Sequence, residues 1–196
     1  TVGLKAAQWA DAIAHALQRV QTDAREAMCV QLGGAVGTLA VMGERGPAVR
    51  ASLAQALGLA DAGASWHTQR ERWVALGCAV GVLVGACGKM ARDWALMMQA
   101  EVGELSEPHE PGRGASSAMA HKRNPVAAMT ALAAAHRVPH RVAALLACMP
   151  QEHERALGGW QAELAEWAGL WISAAGAVRA LADAAPGLVV HRGRLL

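Results

Sequence analysis

The chain has 196 residues and a mass of 20.3 kDa, which is enough for one large domain. Hydrophobic residues make up 54% but aromatic residues only 4%, with no Tyr and no Phe, a composition that argues against β-sandwiches, β-barrels and disorder. The formal net charge of +2 is too small for an electrostatic grip on nucleic acid or on a membrane surface.

Apolar residues at helical spacing predict an all-α fold. A first helix carries five apolar residues spaced three or four apart, a stripe that we call a seam: Ile13, Leu17, Val20, Ala24 and Ala27. Residues 33–46 read as a glycine-rich connection, and a short helix is predicted from Pro47 to Leu57. No stretch shows the alternation of a β-hairpin.

The longest apolar run lies between Arg72 and Lys89 and is the one candidate for a membrane span. As a helix it would reach roughly 24 Å, short of the ~30 Å hydrocarbon core of a bilayer. It lies in a seam with alternating spacings of three and four residues: Trp73, Leu76, Val80, Leu83, Cys87, Met90, Trp94 and Met97. We therefore predict a buried helix of a soluble protein from about Thr68 to about Glu101, with no membrane partner.

Two further long helices are predicted in the second half of the chain. One runs from about Asn124 to Met149, with Pro125 in its first turn and Pro139 as an internal kink. The other ends before Pro186, and its seam has seven residues: Trp160, Leu164, Trp167, Trp171, Ala174, Val178 and Leu181. We interpret the Met, Leu and Trp residues of all seams as core. Such helices pack as bundles, and their wide apolar coverage indicates a homo-oligomer.

The cysteines and histidines indicate no special chemistry. Cys29, Cys78, Cys87 and Cys148 form no CxxC pair, and we interpret them as free thiols of a cytoplasmic protein. Pro139 lies between His136 and His140, the two histidines four residues apart, so we predict no metal site. The basic clusters at 121–123 and 191–194 lack interleaved aromatic residues, which predicts no nucleic-acid partner.

The stretch 105–124, LSEPHEPGRGASSAMAHKRN, breaks the helical pattern. About twenty unstructured residues inside a compact domain are typical of a functional loop or of a disordered linker. Ser116 and Ser117 lie among small residues, where backbone N–H groups can stabilise an alkoxide. Lys122, Asn124 and the positive end of the following helix can together hold a carboxylate. A serine beside that carboxylate can move a proton, because the clamp stabilises the carbanion that forms.

The sequence ASSAMAHKRNP at 115–125 resembles the GSSxMPxKxNP signature of the fumarase and aspartase superfamily. The match covers six residues: Ser116, Ser117, Met119, Lys122, Asn124 and Pro125. Ala115 stands where the family has Gly and Ala120 where it has Pro, and we expect these departures to alter the turn of the loop. Segments 31–46, 66–72 and 151–163 are most similar to the cycloisomerases of this superfamily, whereas adenylosuccinate lyases carry a serine-rich segment where this chain has ALGGW.

The resemblance implies a long-helix bundle, residues 1–187, that is the central domain of an all-helical subunit and assembles into a homotetramer. It implies an active-site loop at about 104–123, the start of a C-terminal domain at 188–196, and an N-terminal domain absent from this chain, which begins at Thr1 without Met. Proton transfer falls to Ser116, and carboxylate binding to Lys122 and Asn124. Further substrate contacts fall to four residues, Ser117, Met119, Gln69 and Arg155. No cofactor is implied.

The implied reaction is intramolecular: a carboxylate of the small tricarboxylate 3-carboxymuconate adds to its own double bond, giving a γ-lactone. The family's sites draw on several subunits and on three signature regions, of which this chain carries one, so we expect the chain alone to have little or no activity. Two alternatives stay open. One is a β-elimination enzyme like adenylosuccinate lyase, and the other is a non-catalytic helical assembly module.

Overall fold

The computed structural model describes residues 2–109, 112–119 and 122–195. The described part of the chain holds five α-helices: α1 (Val2–Ala27), α2 (Gly46–Leu57), α3 (Glu71–Met97), α4 (Val126–Ala147) and α5 (Gly159–Ala184). Its strands have two residues each: β1 (Cys29–Val30) runs parallel to β2 (Ala60–Asp61), and β3 (Leu105–Ser106) runs antiparallel to β4 (Val189–Val190). The prediction of an all-α bundle of long helices is confirmed.

Helix α3 lies at the centre of the bundle and packs against α1, α4 and α5. Its predicted seam is confirmed, because Trp73 and Met90 are half-buried and the other six residues of the seam are buried. By length and composition alone α3 also passes as a membrane span, but half of its most apolar window is buried inside the protein. That burial is what a core helix of a bundle requires.

Glycines let α3 and α4 approach closely. A Cβ added at Gly88 would lie 2.5 Å from the Cβ of Ala135, and one added at Gly77 would lie 2.8 Å from a methyl carbon of Leu145. Pro139 lies inside α4, as predicted. Gly77 and Gly88 therefore serve helix packing, and the core is built largely from Ala, Val and Leu.

The seam predicted for α5 is wrong in part. Leu164, Trp171 and Val178 are 53%, 41% and 40% exposed. The stripe that faces the bundle is instead Glu163, Trp167, Leu170, Ala174, Ala177, Leu181 and Ala184. In α1, likewise, Leu17 is exposed while Trp9 and Ala16 are buried. Both helices carry apolar residues on more than one face, so spacing alone does not fix which face meets the core.

All four cysteines are free, as predicted. Cys87 is buried and the other three are half-buried. Burial raises the pKa of the Cys78, Cys87 and Cys148 thiols, because an apolar environment disfavours the thiolate. These three side chains are therefore protonated at neutral pH.

Candidate active site

The loop between α3 and α4 folds into a hairpin whose base lies at Gly114 and Asn124. The backbone N–H of Asn124 donates to the carbonyl oxygen of Gly114 at 2.8 Å, and Ala115 forms an antiparallel bridge with Arg123. Gly114 has a φ of +70°, and a Cβ there would lie 2.7 Å from the carbonyl oxygen of Asn124. The base of the hairpin therefore requires glycine at this position.

The chain departs from the family signature at Ala115 and Ala120, and the structure describes the first of these two positions. Ala115 lies in the antiparallel bridge, a pairing that any residue can adopt, while the left-handed backbone falls one residue earlier, at Gly114. The side chain of Ala115 therefore demands no change of turn. Ala120 lies outside the described residues.

Ser116 is half-buried, and its hydroxyl lies at the centre of a turn. Its Oγ accepts hydrogen bonds from the backbone N–H groups of Ala118 at 3.3 Å and of Met119 at 3.1 Å. The same two donors would stabilise negative charge on Oγ if the serine lost its proton. The small residues around Ser116 thus leave N–H groups available, as the sequence indicates.

The same turn brings three further predicted residues together. The backbone N–H of Lys122 donates to the carbonyl oxygen of Met119 at 3.1 Å, and Ser117, Met119 and Lys122 are all exposed. Asn124 is half-buried at the base of the hairpin. The hairpin therefore carries the predicted serines, lysine and amide within one short segment, with Lys122 exposed and Asn124 at its base.

The N-terminus of α4, expected to help hold a substrate carboxylate, is occupied by a carboxylate of the chain itself. Glu107 accepts the backbone N–H of Ala127 at 3.0 Å with Oε2, and that of Ala128 at 2.9 Å with Oε1. That part of the expectation is wrong, since these donors already have an anionic partner. Sequence reasoning missed Glu107, whose signal is weak: Pro125 occupies the N-cap position of α4 and has no side-chain acceptor of its own.

A cavity of about 190 Å³ lies beside the base of the hairpin. Its lining combines both limbs of the loop with the ends of α3, α4 and α5, and includes Met98, Leu105, Glu107, Asn124, Val126 and Ala184. Asn124 is the predicted site residue that faces it. Ser116 and Lys122 lie farther along the hairpin and do not line the cavity.

Gln69 and Arg155 lie at the opposite end of the bundle. Gln69 is exposed just before α3 and lines a second cavity, of about 160 Å³, with Trp66 and Trp73. Arg155 is exposed in the turn between α4 and α5. The segments that carry Gln69 and Arg155 touch, because the Thr68 hydroxyl donates to the carbonyl oxygen of His153 at 2.8 Å.

A buried polar network fixes this end of the bundle, and sequence reasoning missed it. Arg70 donates through Nε to Glu163 Oε2 at 3.0 Å and through a second guanidinium nitrogen to Oε1. Trp167 Nε1 donates to the same Oε1 at 2.9 Å. Because Arg70 directly follows Gln69, the network also fixes the backbone beside that residue.

The length of α3 separates the two groups of predicted site residues. The helix begins two residues after Gln69 and ends before the loop of Ser116, and its 27 residues span about 40 Å at 1.5 Å per residue. One copy of the chain therefore does not bring Gln69 and Arg155 to the hairpin. The structure groups Ser116, Ser117, Met119, Lys122 and Asn124 at one end and the other two at the far end.

The class of protein follows from a comparison with known families. A family model described as lyase matches residues 1–139, a stretch that contains α1, α2, α3, the hairpin and the first half of α4. The chain belongs to this lyase family. The resemblance inferred from the motif at 115–125 is thereby confirmed for most of the chain.

Individual relatives show which proteins the chain is similar to. The 3-carboxy-cis,cis-muconate cycloisomerases of Bradyrhizobium diazoefficiens and Acinetobacter baylyi are 45% and 44% identical to this chain, over 98% and 97% of its length. The crystal structure of 3-carboxy-cis,cis-muconate lactonizing enzyme from Pseudomonas putida matches 99% of the chain with a TM-score of 0.91 at 40% identity. The chain spans 43%, 42% and 42% of these three proteins, respectively.

Proposed function

We propose that the polypeptide carrying this chain is a cycloisomerase that converts 3-carboxy-cis,cis-muconate to 4-carboxymuconolactone, in the protocatechuate branch of the β-ketoadipate pathway. The names of the relatives support the substrate. One observation in this chain carries the proposal. The hydroxyl oxygen of Ser116 accepts hydrogen bonds from two backbone N–H groups, in the same turn that contains Lys122.

In the proposed step, a carboxylate oxygen of the substrate attacks a carbon of the substrate's own double bond and forms the C–O bond of the γ-lactone. The electron pair of the double bond moves to the neighbouring α-carbon, which takes the proton of the Ser116 hydroxyl. The alkoxide left on Ser116 is stabilised by the N–H groups of Ala118 and Met119. No electrons enter or leave the substrate, so the step needs no redox cofactor.

Lys122 and Asn124 hold the carboxylate next to the carbon that is protonated. Negative charge spreads into that carboxylate as the C–O bond forms, and a lysine ammonium and an amide N–H stabilise it there. Ser117 and Met119 add contacts from the same hairpin. The exposure of Lys122 means that a further surface must cover the hairpin before water is excluded.

We infer that this surface comes from other copies of the chain in a cytoplasmic homotetramer. Gln69 and Arg155 serve the hairpin of another copy, because they lie at the opposite end of the bundle from their own hairpin and α3, about 40 Å long, runs between the two ends. The exposed stripe of Leu164, Trp171 and Val178 on α5 supplies apolar area for assembly. The isolated chain is therefore expected to have little or no cycloisomerase activity.

The test uses the full-length polypeptide that carries this chain and follows the loss of the conjugated double bonds of 3-carboxy-cis,cis-muconate by absorbance. Ser116→Ala is expected to lower kcat by about 10²–10⁴-fold while the oligomer stays intact in sedimentation. The matched control is Ser52→Ala on the exposed face of α2. Unchanged turnover in Ser116→Ala would remove the serine from the mechanism.

The outcome with the unmodified polypeptide distinguishes the alternatives. Turnover of adenylosuccinate without lactone formation would favour the β-elimination enzyme. Turnover of neither compound by an intact oligomer would favour a non-catalytic assembly module.

A further inference from the structure

Glu107 connects the two limbs of the active-site loop, which are the outgoing limb that leaves α3 and the return limb that leads into α4. It lies on the outgoing limb, directly after β3, and its carboxylate accepts the N–H groups of Ala127 and Ala128 at 3.0 and 2.9 Å, twenty residues farther along the chain. We infer that Glu107 is a positioning residue that fixes the return limb of the hairpin, and with it Asn124 and the turn of Ser116, for the reaction proposed above.

The outgoing limb is itself fixed to the rest of the protein just before Glu107. Its strand β3 pairs with β4, Leu105 opposite Val190, and the His191 backbone N–H donates to the Glu104 carbonyl oxygen at 2.9 Å. Leu105 is buried in the core of the bundle. Glu107 therefore directly follows a segment that is fixed both by its pairing with β4 and by the burial of Leu105 in the core.

The return limb depends on this connection. Ala127 follows Asn124 by three residues, so the carboxylate closes a ring of chain that contains the whole hairpin. The closed ring has fewer conformations than an open loop of the same length. Inside it, the hydrogen bond from Asn124 to Gly114 at 2.8 Å sets the base from which Ser116 and Lys122 project.

A local cap would satisfy the helix without making this connection. Side chains at the N-cap position accept the same two N–H groups, at the second and third positions of a helix, but Pro125 occupies that position in α4. The chain instead brings a carboxylate from the far limb, and this carboxylate also lines the cavity that Asn124 faces. Helix capping and loop positioning are thus combined in one residue.

Hydrogen–deuterium exchange of the full-length polypeptide separates the two roles. Glu107→Gln keeps the size of the side chain but only one acceptor oxygen. Exchange at the amides of Lys122 and Asn124 is expected to rise by roughly tenfold, while residues 134–138 of α4 keep their rate. Faster exchange confined to Ala127 and Ala128 would overturn the proposal, because loss of a helix cap alone produces that pattern.

Kinetics give a second readout. Glu107→Gln is expected to lower kcat by about tenfold or more and to raise KM by a smaller factor, since a displaced turn misplaces Ser116 for proton transfer and only loosens the clamp of Lys122 and Asn124. Glu101→Gln, on the exposed turn after α3, is the matched control. Unchanged kcat, or a fall that only follows a lower folded fraction in circular dichroism, would overturn the proposal. Because this inference rests on the proposed function, absence of turnover in the unmodified polypeptide would refute that function and leave the exchange experiment to decide on Glu107.

Discussion

Arg70 and Glu163 form a bidentate ion pair that joins the residue before α3 to the first turns of α5. The two side chains are only 6% and 1% exposed. Gln151 and Trp167 donate to the same carboxylate, and the guanidinium of Arg70 lies 5.0 Å from the ring centre of Trp66. Charges removed so completely from water are tolerated because each has its partner.

Breaking this pair is expected to destabilise the fold strongly. Glu163→Ala leaves the Arg70 guanidinium buried without a counter-charge, which costs about 3–5 kcal/mol of unfolding free energy. Urea unfolding followed by circular dichroism measures the loss. Arg179→Ala breaks an exposed pair with Asp183 and is expected to cost no more than about 1 kcal/mol. Equal losses in the two variants would contradict this prediction.

Two glycines of α3 are expected to respond to the same substitution with opposite signs. Gly88→Ala places a Cβ 2.5 Å from that of Ala135 and is expected to cost about 1–3 kcal/mol, because α3 and α4 must move apart. Gly85→Ala meets no atom within 4 Å and is expected to stabilise the helix by about 0.5–1 kcal/mol. The melting temperatures of the two variants, measured side by side, check both signs.

The sequence predicted α3 well because its charged residues lie near its ends and its buried stripe has one continuous phase. For α5 the same spacing fits two stripes. The pattern favours Leu164, Trp171 and Val178, yet the bundle buries Glu163, Leu170 and Ala177. A buried Glu is unexpected until its partner Arg70, the residue before α3, is known.

The motif at 115–125 identified the residues of the hairpin, but their surroundings depend on contacts distant in sequence. Glu107 caps a helix that starts nineteen residues later, and no local cap pattern predicts it. The separation of Gln69 from Ser116, by contrast, follows from the continuity of α3 from Glu71 to Met97. Helix length, which sequence does predict, decides that geometry.

Stability is expected to depend on pH through Asp93, which joins α3 to α1. Burial alone would raise the pKa of this carboxyl, but hydrogen bonds from Lys89 at 2.5 Å and Trp9 at 2.8 Å outweigh burial and hold the pKa below its usual 3.8. A lowered pKa in the folded state adds stability that is fully present well above 3.8. The added stability is lost as the pH falls through the folded-state pKa.

Asp93→Asn removes this titration. The difference in unfolding free energy between the native chain and the variant is therefore expected to shrink between pH 6 and pH 3, as measured by urea unfolding at both values. Asp183→Asn, on the exposed end of α5, serves as the control. A difference that stays constant across this range would show that Asp93 carries no pH-dependent stability.

Sites shared between copies predict complementation between inactive variants. Because Ser116 and Arg155 lie at opposite ends of the bundle, a copy carrying Arg155→Ala still offers a native hairpin, and a copy carrying Ser116→Ala still offers a native Arg155. Full-length polypeptides with these substitutions, produced together in one cell, are expected to form mixed oligomers with some complete sites. Their lactone-forming activity should then exceed that of either variant alone.

The matched pair for this experiment is Ser116→Ala with Lys122→Ala. These two residues lie in one turn of one hairpin, where the Lys122 N–H donates to Met119 and the Met119 N–H donates to Ser116. Mixing such copies produces no hairpin with both residues intact, so activity is expected to stay at the level of the single variants. Recovery of lactone-forming activity in this pair as well would mean that the copies exchange parts of their chains and do not only contact one another. Absence of recovery in both pairs would place Arg155 outside the shared site.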